Sequence, residues 1–404
     1  MAEWRCISSL AQSCSRIPEC RGPKGVEYPG GLLAFSLTLG KCAGRFTQRA
    51  QVEWLKEHWK WILRYWYKFS KRRIKTRSTP SQSTICNYLA AENSGIISQL
   101  FTAEERSTML KEWQEYSQVQ KKRVKKRSAK NQSKKKRIPQ YCLDGKARRG
   151  CTSKATGRTE IDLSLYCPET HQTLALRTLN DKEGEQKAAK QILNEEAKEL
   201  PRGVFTGDAG IISPDLTKLA VIRNSSYILA IKGNAGHAYD DIISYNWNKV
   251  TKSLTVKDKP AHGREETRTI KAVKISEIGG NNLSKYHSAS KVYEVNSEVH
   301  HKKENRWACN KRYFIGDKKI SRWNLATILT YIRGHWGIET FHFNKDVSLK
   351  EDDCRLKANN GSRVLALFRA KVIKIASKFF DSLQDFIDKF SAKPRKMAKL
   401  IDSI

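Results

Sequence analysis

The chain has 404 residues, a length for which two or three domains are the natural expectation. Its 76 Lys and Arg face 41 Asp and Glu, a formal charge of +35 that argues against a small-molecule metabolic enzyme and for a polyanionic partner. Hydrophobic residues at 39% are enough for a core and exclude wholesale disorder.

No apolar run approaches the roughly 20 residues of a membrane span, and Met1–Ser15 lacks the pattern of a secretory leader, so neither insertion nor secretion is expected. Ten cysteines without Cys-x-x-Cys or zinc-finger spacing suit free thiols in a reducing compartment. With no long basic amphipathic helix and no lipidation signal, nucleic acid is the expected partner and a membrane is not.

Residues 1–120 read as a mainly helical domain. Trp54, Trp59, Trp61, Trp66 and Tyr67 alternate with Lys56, Lys60, Arg64 and Lys68 at helical spacing. Such interleaving suits base stacking and phosphate contact, although the plainer reading is a helix with buried aromatics and solvated lysines. Ser78–Leu89 combines a proline turn, Ser/Thr caps and a short helix, compatible with a helix-turn-helix module. Lys121–Arg137 carries eleven Lys and Arg in seventeen positions and no acid. It reads as a linker that also tracks phosphates, with Lys125, Lys126, Lys135 and Lys136 as candidate DNA contacts.

From Pro139 the pattern turns to strands, and residues 138–355 read as a mixed-sheet α/β domain. Pro139–Asp144 is an apolar run ending at Asp-Gly. Glu160–Tyr166 and Thr173–Leu179 are a strand and its return, and Asp181–Leu200 is a helix. Gly203–Asp208 is a strand ending in an acid, Asp215–Ile222 a helix, and Tyr227–Ile231 a strand apolar on both faces. Residues 240–320 are polar and look like an insertion. Ser321–Asp346 follows as one long helical pattern, and residues 356–404 form a C-terminal helical segment with apolar positions from Val364 to Phe390.

Three acids stand out. Asp144 and Asp208 each close a predicted strand, where carboxylates on neighbouring strands can share a divalent cation through oxygen ligands. Glu339 shares a helical stripe with Ile332, Trp336 and Phe343, and a carboxylate on an apolar stripe is costly unless paired or metal-bound. Singly, each acid also fits a bland role: a tight turn for the two aspartates, an ion pair with Arg333 for Glu339.

In combination the acids sit in motifs that resemble an insertion-sequence transposase with the Asp-Asp-Glu set, of the H-repeat-associated type. The resemblance runs from about Cys14 to Lys378. It is carried by Asp144-Gly-Lys-Ala-Arg-Arg-Gly150, Thr206-Gly-Asp208-Ala209, Tyr227–Asn234 with its Lys232-Gly-Asn turn, His262–Arg268, and His335-Trp-Gly-Ile-Glu339. Asp346-Val347 with Glu351-Asp352 and Arg355 follows, and Ile17–Trp54 resembles the family's N-terminal associated domain. The pattern departs at Ala235, where Gln is usual, at His335 and Asp346, where broader relatives have Arg and Lys, and at Phe343 in place of Trp.

The resemblance implies a ribonuclease-H-like fold in which Asp144, Asp208 and Glu339 are catalytic and hold two magnesium ions, with manganese as substitute. Ions about 3.5–4 Å apart would serve the attacking and leaving oxygens of phosphodiester cleavage, and a freed 3′-hydroxyl would then carry out strand transfer. Lys146, Arg148, Arg149 and Lys232 would hold phosphates, and His262, Arg264 and Arg268 would contact terminal DNA. The implied partners are double-stranded DNA, as element ends and target, and further copies of the chain as a dimer or larger assembly. The implied setting is the bacterial cytoplasm, at the nucleoid. The alternative is a transposase-derived DNA-binding protein whose chemistry has lapsed.

Overall fold

The computed structural model describes residues 6–22, 26–71, 74, 78–126, 138–152, 157, 159–179, 184–258, 260, 264–279, 281–354, 356 and 361–403, with backbone alone over 115–126. Five helices come first: α1 (Cys6–Ser15), α2 (Gly30–Cys42), α3 (Gln48–Trp66), α4 (Gln82–Ala91) and α5 (Ser94–Lys126). Thr47 and Ser81 cap α3 and α4 by accepting from Ala50 N and Thr84 N, as Thr and Ser do at a helix start. In α3 and the turn after it, Trp54, Trp59 and Trp66 are buried while Lys56, Lys60, Arg64 and Lys68 face solvent. The plainer of the two readings of that segment therefore holds.

The α/β part follows as β1 (Gln140–Ala147), β2 (Ile161–Cys167), β3 (Gln172–Leu179), α6 (Glu185–Glu195), β4 (Val204–Gly207), α7 (Pro214–Ile222), β5 (Ser226–Ile231) and α8 (His237–Ser244). Then come β6 (Ser253–Lys257), β7 (Arg264–Lys274), α9 (Ile275–Ile278), β8 (Ala289–His301) and β9 (Arg306–Asp317). The chain ends with α10 (Leu325–Gly334), α11 (Trp336–Phe343), a π-turn over Asn344–Ser348, α12 (Gly361–Ser377), α13 (Leu383–Ala392) and α14 (Pro394–Ser403).

Among the described residues nine strands form one sheet, in the order β3-β2-β1-β4-β5-β9-β8-β7-β6. β1, β2 and β3 are antiparallel, and β4 and β5 join β1 in parallel. Two antiparallel neighbours on one side of a central strand and two parallel strands on the other make the ribonuclease-H-like arrangement. The polar stretch expected as an insertion extends this sheet, because β9 pairs antiparallel with β5. Its strands are polar because β6 and the outer half of β9 are covered on one face at most. The long helical pattern expected over 321–346 is broken: it divides between α10 and α11 at Gly334-His335. The C-terminal helical segment consists of α12, α13 and α14, with Ser382 capping α13.

One face of the sheet packs α6 and α7 through Leu143, Leu163, Phe205, Leu216 and Ile192. On the other, α10 and α11 cover β1 and β4. Behind them, residues from α1–α5 and α12–α14 enter one common apolar core, with Phe101 of α5 beside Phe368 of α12 at 6.2 Å. The N- and C-terminal helices thus stabilise each other. Phe368→Ala should cost about 3–5 kcal/mol, typical of a buried Phe truncation. In hydrogen exchange, α2 and α5 should then lose protection together with α12, whereas loss confined to α12 would mean separate cores.

Candidate active site

The register of the central strands decides what shares a face. β1 and β4 pair in parallel up to Leu143↔Gly207, so Asp144 and Asp208 are the next residues on adjacent strands and lie on the same face. β4 ends there while β1 continues against β2 to Ala147. Asp208 therefore stands at a strand end as expected, whereas Asp144 lies within its strand, at the point where the parallel partner stops.

The acid-bearing face is locked by a buried polar chain. Gln140 donates from Nε2 to Thr206 Oγ1 (3.0 Å) and to the Tyr331 carbonyl (2.7 Å), and Thr206 Oγ1 lies 3.1 Å from His335 Nδ1. α10 approaches so closely that a Cβ on Gly334 would meet the Gln140 amide oxygen at 2.1 Å. This contact carries α11, and with it Glu339, to the acid-bearing face. Tyr166 and Phe341 stack at 4.7 Å to fix the far end of the helix.

Asp144, Asp208 and Glu339 line one cleft of about 600 Å³ together with Lys232, Lys311, Arg312, His335 and Trp336. Asp144 accepts from Gly145 N at 3.0 Å and faces His342 Nδ1 at 3.4 Å. Asp208 accepts from Gly210 N at 2.9 Å, and Asn234 of the Lys-Gly-Asn turn donates to the neighbouring Ala209 carbonyl. Burial, and then the charge of Asp144, push the Glu339 pKa above its ordinary value, with Arg312 and His342 opposing. Burial lowers the His335 pKa, which keeps that imidazole neutral beside Thr206 although Asp144 and Asp208 pull the other way.

Neither Asp208 nor Glu339 forms an ion pair among the described residues. Nor do any three His, Cys, Asp or Glu side chains there stand close enough to make a finished metal centre. The donor set still fits a hard divalent cation: three oxygen-bearing groups, like in charge, opening to one cleft.

The expected phosphate contacts divide sharply. Lys232 and Arg149 are exposed, Lys232 in the cleft and Arg149 on the turn after β1, and Arg264 is exposed at the start of β7. Lys146, Arg148 and Arg268 are 6%, 1% and 4% exposed, and for these three the expectation of a DNA contact does not hold. Lys146 pairs with Asp346 (2.7 Å), Glu351 (3.1 Å) and Asp352 (3.4 Å). Burial disfavours its charge, yet those carboxylates hold its pKa above the usual lysine value. Arg148 pairs with Glu160 and Asp162 and donates to Ser362 Oγ. Arg268 pairs with Asp258 and Glu266, and Asp258 also takes Arg333 at 2.8 Å. His262, Lys135 and Lys136 lie outside the described residues, as do the side chains of Lys125 and Lys126 at the end of α5.

Sequence reading missed Arg312 as a cleft residue. No local signal marks it, because its place depends on β9 pairing with β5. His342, which shares a helical face with Glu339, faces Asp144 from beside the cleft.

Residues 136–373 match the transposase DDE domain family, over half of the chain. The chain belongs to that family. It is 25% identical over 264 residues to the candidate transposase YncI of Escherichia coli O157:H7, covering 63% of this chain and 65% of that protein. It is 25% identical over 246 residues to the H repeat-associated candidate transposase YhhI of Escherichia coli (strain K12), covering 58% and 62%. The match thus spans less than two thirds of either relative. The structure of a piggyBac transposase synaptic complex with hairpin DNA aligns at a TM-score of 0.46 and 9% identity, over 100% of this chain and 81% of that one, a likeness too slight to carry weight.

The burial pattern gives a contrast that can be measured. Lys146→Ala takes the cation from Asp346 and Asp352 and one of three from Glu351, and should cost about 3–5 kcal/mol in urea unfolding. Arg149→Ala, at an exposed site, should change stability by no more than about 0.5 kcal/mol. Equal effects would contradict these placements.

Proposed function

We propose that the chain is a DNA transposase that binds the ends of its own element, cuts a phosphodiester bond and joins the freed end to target DNA. The single observation behind the reading is the register that sets Asp144 beside Asp208 and opens both, with Glu339, to one cleft. Two strand acids and a helix acid are the oxygen donors that magnesium, or manganese in its place, takes. When bound, such ions neutralise the charge that develops on the phosphoryl oxygens.

The chain's own groups do the rest. The register and the Asx-type turn at Gly210 hold Asp208 in place, and His342 orients the Asp144 carboxylate. Lys232, exposed at the end of β5, offers an ammonium to a backbone phosphate. Arg149 and Arg264 are exposed for further contacts, and Lys125, Lys126, Lys135 and Lys136 fall in the basic stretch that would track DNA non-specifically. The reading includes self-association on paired ends and a site of action at the bacterial nucleoid. No described helix is long and apolar enough to cross a membrane.

The test is nicking of a supercoiled plasmid with magnesium, manganese or EDTA. Nicking should require a divalent metal, and manganese should relax its sequence demands. Asp208→Asn should lower the rate by about three orders of magnitude or more while DNA affinity in calcium stays nearly unchanged. Binding without nicking under either metal would instead favour a lapsed enzyme.

A further inference from the structure

The cleft's other wall carries a second, cationic row. β5 and β9 pair antiparallel up to Ile231↔Tyr313, so Lys232 and Arg312 are opposite each other just beyond the last pair, on the face that carries the acids. The sheet thus sets Asp144, Asp208, Lys232 and Arg312 along four successive strands, β1, β4, β5 and β9, with Asp208 and Lys232 just past the ends of theirs.

Arg312 lies with its guanidinium 5.8 Å from the centre of the Trp336 ring, and Arg268 lies 4.9 Å from the same ring. The two arginines differ in what else they touch. Arg268 is buried and committed to Asp258 and Glu266. Arg312 is exposed to the cleft, and among the described residues it has no carboxylate at ion-pair distance. Its neighbour Lys311 is already taken by Glu294 at 3.5 Å.

Two cations share one indole, and among the described residues only one of them, Arg268, has carboxylates at ion-pair distance. Aromatic contact orients a guanidinium without satisfying its five donors. What remains is an oriented, unspent fork at the edge of an acidic cleft, the geometry that suits a tetrahedral oxyanion.

We propose that Arg312 is a phosphate-binding residue of this cleft, gripping non-bridging oxygens of the DNA backbone next to the bond that is cut, with Trp336 as the surface that orients it. The assignment rests on the reading of the cleft as a DNA-cutting site. Lys232 is its partner across the strand pair, a compact charge beside a planar fork. Phosphates of one strand would bridge Lys232 and Arg312 while the acids face the reacting group.

The test uses the full chain, a short fluorescent duplex in calcium, and anisotropy as a function of salt. Wild type should bind with a steep salt dependence. Arg312→Gln should weaken binding about tenfold and reduce the slope of log affinity against log salt by about 0.9, the loss of one phosphate contact. Arg312→Lys should keep the slope. Trp336→Leu should keep the slope yet weaken binding, which a purely structural role would not separate, and circular dichroism should show all three variants folded. An unchanged slope and unchanged nicking by Arg312→Gln, while Asp208→Asn abolishes nicking, would overturn this inference alone. A wild-type chain that neither binds nor nicks DNA would overturn both it and the reading beneath it.

Discussion

Pairing of β1 with β4 is the constraint on which the cleft depends. Because Leu143 lies beside Gly207, the next residues of the two strands are both aspartates and both face α10 and α11. A slip of one residue would turn Asp144 to the opposite face, into the layer held by Leu216 and Ile192. The Gln140 amide guards against that slip. Buried between Thr206 and the Tyr331 carbonyl, it ties β1, β4 and α10 in one register, and leaving any of those groups unpaired would cost about 1–3 kcal/mol. The same register sets like charges side by side, and burial first, then the charge of Asp144, raise the Glu339 pKa.

Behind the cleft the charges are balanced. Lys146, two residues after the first acid and on the same face, is enclosed by Asp346, Glu351 and Asp352. Burial notwithstanding, Lys345, Arg369 and Lys146 hold the Glu351 pKa down to about 2. Asp346 is thus matched by an opposite charge, and the segment after the third acid is pinned to β1. Gly150 allows this approach, since a Cβ there would meet the Asp352 carbonyl at 2.2 Å. Arg268 and Arg333 do the same for the added strands, joining them to α10 through Asp258. Cations fixed by carboxylates build the frame, whereas Lys232 and Arg312 at the opening have no carboxylate at ion-pair distance among the described residues.

Much of this was legible because short-range signals coincide with the elements they predict. The helical pattern of Asp215–Ile222, the apolar run of β5 and the alternation in β2 each depend on a few neighbouring residues. The three acids could be singled out because a carboxylate at a strand end or on an apolar stripe is locally anomalous. What sequence could not tell was which cations are spent. Lys146 and Lys232 look alike in a basic chain, and only pairing across 200 residues or more, to Asp346 and Glu351, separates a buried clamp from an open ammonium. The stretch from 240 to 320 misled for a related reason. Strands covered on one face at most carry no continuous apolar run, and their membership of the sheet rests on β9 finding β5.

The claim that these three carboxylates form one cation site can be tested without DNA, by electron paramagnetic resonance of manganese titrated into the purified chain at pH 7.5 and pH 5.5. Glu339 has a raised pKa, so it takes up a proton at a higher pH than an ordinary carboxyl near 4.5, and a proton there competes with the metal. The account predicts saturable binding at pH 7.5 that weakens at pH 5.5, and a loss of at least about tenfold in affinity with either Asp208→Asn or Glu339→Gln. Manganese binding that neither substitution changes would contradict it.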